Sequence, residues 1–199
     1  MVNANATIDY TKYAQDPHMV LQHGFPDNFH TWDTFQVPFF AQSYTVLTPL
    51  LRGYPPSSVP PLAEAYTPET MVSDLLAILE HEGAQIATLV GHDVGGGVVH
   101  YFSAAHADRV HALILINTVQ LPIFLHLIEF NKGQQEMSEY TIVFEAYQVG
   151  QPKNISSLVK VIHNDTYKAE TAQYLIDSPI DGMLHLYNKN YPGPLYERI

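Results

Sequence analysis

The stretch Gly91-His92-Asp93-Val94-Gly95 constrains this chain more than any other. It joins an apolar, strand-like run at 87–91 to a helix-like run that begins near Val94. Between them stands one carboxylate among glycines. A strand that turns straight into a helix must reverse within a few residues. The positions two before and two after Asp93, Gly91 and Gly95, must then be small. Gly96 and Gly97 would let the helix lie close to the sheet. This is the form G-x-nucleophile-x-G in the strand-to-helix setting a nucleophile elbow requires. Such a turn strains its central residue and pushes the side chain into the crevice at the strand's carboxyl end. The N–H of Val94, at the helix start, would face a negative charge developing there. A Gly-rich turn with Asp93 as a plain N-cap has the same sequence, and the motif alone does not separate the two. A phosphate loop is excluded, because no Lys-Ser/Thr follows, and the glycine spacing is not that of a dinucleotide fingerprint.

The rest of the chain says what kind of sheet the turn belongs to. Strand-like runs occur at 18–22, 44–49, 87–91 and 111–117, each apolar and bounded by turn residues. Helical runs alternate with them. The clearest begins with Thr67 as cap, Pro68 in the first helical position and Glu69 at the positive end of the dipole. Met71, Leu75, Ile78 and Leu79 then line one face, and Gly83 ends it. Strand and helix in alternation predict a parallel sheet with crossover helices, an α/β layer. From residue 121 onward only helical segments are predicted. The division falls near Val119, with an α/β part over 1–119 and a helical part over 120–199. The most apolar stretch, residues 112–130, is broken by Asn117, Gln120, Pro122 and His126. It reads as a buried strand followed by a helix, not as a membrane span.

Composition removes several function classes. A chain of 199 residues with 46% hydrophobic content can bury one well-packed core. A net charge of −11 with 9 Lys and Arg and no basic run argues against nucleic acid or an anionic membrane as partner. The absence of cysteine excludes disulfides, a thiolate zinc site and a cysteine nucleophile, and fits a cytoplasmic setting. The N-terminal residues lack the basic-then-apolar pattern of a signal peptide. Three N-x-S/T sequons, at Asn5, Asn154 and Asn164, are read as chance. There is no HExxH pattern, and no metal site is expected.

Three motifs then act together: HGFPDNFHTWD at 23–33, LRGYPPS at 51–57, and GHDVGG around Asp93. In this order and spacing the chain resembles the epoxide hydrolase-like branch of the α/β-hydrolase superfamily, over nearly its whole length. The resemblance implies an α/β-hydrolase fold with a mostly parallel sheet and a helical cap, its C-terminal strands missing from these 199 residues. It implies that Asp93 is the nucleophile and that the N–H groups of Phe25 and Val94 form the oxyanion hole. His23, Gly24, Pro26, Gly91, His92, Gly95 and Gly96 frame these groups, with the Phe25–Pro26 peptide bond cis and with His23 and His92 holding loops by hydrogen bonds. Tyr140 and Tyr187 match the family's two lid tyrosines, with Tyr147 and Tyr191 as neighbouring alternatives. Leu50 departs from the Asp that many relatives carry before Arg-Gly, and Val94 from the Trp that many carry after the nucleophile.

An Asp nucleophile is suited to displacement at saturated carbon, giving an alkyl-enzyme ester that water hydrolyses. Strained epoxide C–O bonds and carbon–halogen bonds both fit. An epoxide oxygen needs a proton donor, which the lid tyrosines would supply. A halide needs a donor pocket, for which the dehalogenase relatives typically carry a Trp or Arg after the nucleophile, where this chain has Val94. Epoxide opening is therefore expected ahead of dehalogenation, and a non-catalytic homologue binding a small apolar molecule is the third reading. The resemblance implies no cofactor, with a small apolar organic substrate and water as reactants. The family's His base and its acid partner have no counterpart within residues 1–199, so turnover by this chain is not expected.

Overall fold

The computed structural model describes residues 7–13 and 17–190. Five strands form one sheet in the order β1-β3-β2-β4-β5. They are β1 (Tyr10–Tyr13), β2 (His18–Gln22), β3 (Thr45–Pro49), β4 (Ala87–His92) and β5 (Val110–Ile116). β1 runs antiparallel to β3, and the other pairs are parallel. The helices are α1 (Gln36–Phe40), α2 (Pro68–His81), α3 (Val94–Ala105), α4 (Leu121–Phe130), α5 (Lys132–Glu145), α6 (Ile155–Leu158), α7 (Asp165–Asp177) and α8 (Ile180–Asn190).

The central strands are apolar along their length because both faces are covered. On one face Val20, Leu47 and Leu89 meet Leu75 and Leu79 of α2 and Val99 and Phe102 of α3. On the other, Met19, Leu21, Val46 and Val90 meet Trp32 and Val37. α2 forms as its sequence dictates. The Thr67 hydroxyl accepts from the Thr70 N–H at 3.3 Å, Pro68 opens the helix, and Met71, Leu75, Ile78 and Leu79 are buried. Gly83 follows in the left-handed region at φ +69°.

Two strands differ from the sequence expectation. β1 is an additional edge strand that no apolar run announces. It is held by the β3 ladder and by Glu82, which accepts from the Tyr10 hydroxyl at 2.5 Å and pairs with Lys12. β5 is not buried as its apolar run suggested. Ile114 is 44% and Ile116 39% exposed, because among the described residues β5 pairs only with β4 and lies at the sheet edge.

Beyond β5 the described chain is helical. Its main contact with the α/β layer is a cluster in which Phe25, Leu50, Leu51, Tyr54 and Tyr66 meet Leu175, Ile180, Met183, Leu184, Leu186 and Tyr187. Leu50 is fully buried in this cluster, an apolar side chain in a core position. Two of the three sequons cap helices. The Asn154 side chain accepts from the Ser157 N–H, and Asn164 from the Tyr167 N–H. Asn5 and Tyr191 lie outside the described residues. Among those described, no helix is long and apolar enough to cross a membrane.

Candidate active site

β4 ends at His92 and α3 begins at Val94, so Asp93 alone makes the turn. Its backbone is at φ 52°, ψ −124°, a conformation side chains rarely adopt. The glycines around it are dictated by contact. A Cβ on Gly91 would lie 2.5 Å from Val99 Cγ2 and 2.6 Å from the Gly95 carbonyl. One on Gly95 would lie 2.2 Å from the His23 carbonyl, and one on Gly96 2.1 Å from Thr118 Cγ2. A Cβ on Gly97 would meet nothing within 4 Å, so that glycine is not needed for close packing, contrary to expectation. Its position on α3 faces open space rather than the sheet.

The Asp93 side chain does not cap α3. The plain N-cap reading of the turn therefore fails. The Phe25 N–H instead donates to Asp93 Oδ1 at 3.1 Å, and the Val94 N–H lies against the same carboxylate. Burial raises the carboxyl pKa, and these two N–H groups pull it down; burial prevails. Gly24 makes the approach of the Phe25 loop possible, since a Cβ there would be 2.5 Å from Asp93 Cβ. The Phe25–Pro26 bond is cis.

His23 braces this loop from beneath. Its Nδ1 bonds the Gly24 carbonyl at 2.9 Å, and its Nε2 accepts from the Leu51 N–H at 3.1 Å. That pattern requires the neutral ring, and burial lowers its pKa to about 4. The LRGYPPS segment is itself fixed by Arg52, whose guanidinium forks onto Asp74 at 2.5 and 2.6 Å. His92 Nδ1 sits 3.8 Å from Asp27 Oδ2.

Above Asp93 lie two chambers of about 500 and 750 Å³, and both are lined by Asp93 and Tyr140. Tyr140, on α5, is 50% exposed. Tyr187, on α8, is 1% exposed, its ring 5.6 Å from that of Phe25. Phe144 stands between the two tyrosines, 5.7 Å from Tyr140 and 5.1 Å from Tyr187. Tyr147, the neighbouring alternative, donates to Asp181 Oδ1 at 2.9 Å. The structure thus brings Asp93 and Tyr140 to both chambers, Val94 to the smaller and Phe25 and Tyr147 to the larger, while Tyr187 lines neither and packs on Phe25 and Phe144.

Known proteins resemble this chain in sequence and fold. A family model described as the alpha/beta hydrolase fold matches residues 17–149. The chain belongs to the α/β-hydrolase family. It is 32% identical over 131 residues to epoxide hydrolase 3 of Xenopus tropicalis, covering 66% of this chain and 35% of that protein. It is 41% identical over 107 residues to epoxide hydrolase A of Mycobacterium tuberculosis, covering 53% and 33%. The chain thus spans about a third of the length of these relatives. Among solved structures, an epoxide hydrolase from Bacillus megaterium in complex with an inhibitor superposes with a TM-score of 0.85 at 26% identity. That match covers 94% of this chain and 69% of the other.

In this α/β-hydrolase the cavity also holds residues that sequence reasoning missed. Asp27 lies in it, accepts from the Tyr167 hydroxyl at 3.0 Å, and has its carboxyl pKa raised by burial. Asp27 was legible, since it directly follows Pro26 in the quoted motif. Tyr167 was not, because nothing in its surroundings sets it apart from the chain's other 12 tyrosines. The one tryptophan, Trp32, is buried on a face of the sheet with Met19 and Val37.

Proposed function

We propose that this chain carries the alkylating half of an epoxide hydrolase. Asp93 attacks a ring carbon of a small apolar epoxide, and the ring oxygen takes the phenol proton of Tyr140 or Tyr187. The product is an ester on Asp93. The N–H groups of Phe25 and Val94 serve the ester's hydrolysis by water, holding the charge that develops on its carbonyl oxygen. Residues 1–119 act as the N-terminal part of the hydrolase core and 120–199 as its cap. The setting is cytoplasmic, and the reaction uses no cofactor.

The observation that carries this reading is the Asp93 carboxylate itself. It stands on a strained turn, bonded by the Phe25 N–H at 3.1 Å, across a cavity from Tyr140. The relatives named above point the same way. Trp32 is buried among core residues, which favours an epoxide over a halide, since a halide needs a donor at the nucleophile.

The test is incubation of the 1–199 protein with styrene oxide, followed by mass spectrometry. A one-equivalent adduct on the peptide holding Asp93 is expected, absent in Asp93→Asn. An adduct that persists in Asp93→Asn refutes the assignment. Tyr140→Phe should slow adduct formation by roughly 10²–10⁴, the range of a general acid, or by less where Tyr187 compensates.

A further inference from the structure

Three residues line both chambers: Asp93, Tyr140 and Asn117. The reaction proposed above uses the first two. Asn117 follows β5 directly, beside the elbow. β4 and β5 run parallel with His92 opposite Ile116, and the Asp93 N–H donates to the Ile116 carbonyl at 3.2 Å. Asp93 and Asn117 thus project from the carboxyl ends of neighbouring strands. Among the described residues they are the only non-glycine positions with positive φ, at 52° and 49°. A left-handed backbone at such a place is a pointer to function, although Asn accepts it more readily than most residues.

The side chain adds a second pointer. Asn117 is exposed, and its carboxamide makes no hydrogen bond to any described residue. Two N–H donors therefore stand free where the chambers meet. The smaller chamber has Met71, Val98, Phe124 and Leu186 on its wall beside the polar Gln134 and Ser138, and the larger carries Phe144 and Ile162.

We propose that Asn117 is a substrate-contacting residue of this reaction, a role that rests on the proposed epoxide opening. Its amide donates a hydrogen bond to the epoxide oxygen while an epoxide substituted on both carbons lies with one group in each chamber. Asp93 forms the new C–O bond, and the ring C–O bond breaks. Its electron pair goes to the ring oxygen, which takes the Tyr140 proton. Asn117 transfers no proton. By holding the oxygen from the β5 side it selects which ring carbon faces Asp93.

The experiment compares wild type, Asn117→Gly and Asn117→Asp in the 1–199 protein, with trans-β-methylstyrene oxide as probe. Glycine keeps the left-handed backbone and removes the amide. Aspartate keeps the size and replaces both donors with acceptors. Adduct formation on Asp93 is followed by mass spectrometry, and fragmentation of the ester peptide reports which carbon was attacked. Both variants should react roughly 10- to 100-fold more slowly, as expected for a lost hydrogen bond to a developing charge, and the preference for one carbon should fall. Should Asn117→Gly fail to fold by circular dichroism, Asn117→Asp carries the same test. A variant that alkylates at the wild-type rate with unchanged regiochemistry overturns the role and leaves the epoxide reading standing. A wild-type chain that forms no adduct overturns both.

Discussion

Asp93 is a carboxylate kept partly out of water, and its raised pKa has two consequences of known sign. The nucleophile is the ionised form, so alkylation should fail as pH falls through a value above that of an ordinary aspartate. A pH profile of adduct formation checks this. The same burial makes the ionised form costly to the fold at neutral pH. Asp93→Asn should therefore melt higher than wild type at pH 7, with the gap closing as pH falls and Asp93 protonates. His23 works in the opposite direction. Its folded pKa, lowered to about 4, lies below its unfolded value of 6.5. The stability this represents is complete above pH 6.5 and is lost as pH falls toward 4, on the order of 3 kcal/mol. Histidine NMR should show the His23 ring still neutral where free histidine protonates, near pH 6.5, and titrating only as pH approaches 4.

At the scale of elements, α3 separates glycines by what stands opposite them. Gly95→Ala sets a Cβ against backbone that cannot move aside, and should cost about 1–3 kcal/mol in denaturant unfolding. Gly97→Ala meets open space inside a helix and should gain up to about 1 kcal/mol. The motif quoted from the sequence treats these glycines alike, since spacing along a chain carries no information about the facing surface. β5 makes the same point. Its apolar run was legible, but its exposure depends on which strands lie beside it. An exposed apolar edge invites pairing with another chain, so Ile114→Lys should reduce self-association of the 1–199 protein in light scattering.

Across the whole molecule, two phenols of α7 tie the helical part to the α/β layer. Tyr167 donates to Asp27, and Tyr174 donates to the Pro55 carbonyl at 2.8 Å. Asp27 is two residues from Phe25, so the Tyr167 bond reaches the loop that supplies an N–H to Asp93. Tyr167→Phe removes a donor from a carboxylate that burial already penalises. It should cost about 1–3 kcal/mol in urea unfolding and push the Asp27 pKa further up.

The division between sequence and tertiary structure follows from range. Local rules were enough for the strand-to-helix turn at Asp93, the cap at Thr67, the face of α2 and the parallel alternation of β2 to β4. In each, turn residues and periodicity act within a few positions. The motif around Pro26 likewise carried the loop that bonds Asp93. Tertiary structure alone decided the rest. β1 exists because β3 offers it a ladder, not because Tyr10 to Tyr13 form an apolar run. Tyr140, on α5, lines both chambers, while Tyr147, two residues past the end of that helix, lines only the larger one and donates to Asp181. Asn117 stands beside Asp93 because two strands 24 positions apart run parallel in register. Contacts between distant segments depend on how whole faces pack, and no residue records its partner's position in its own neighbourhood.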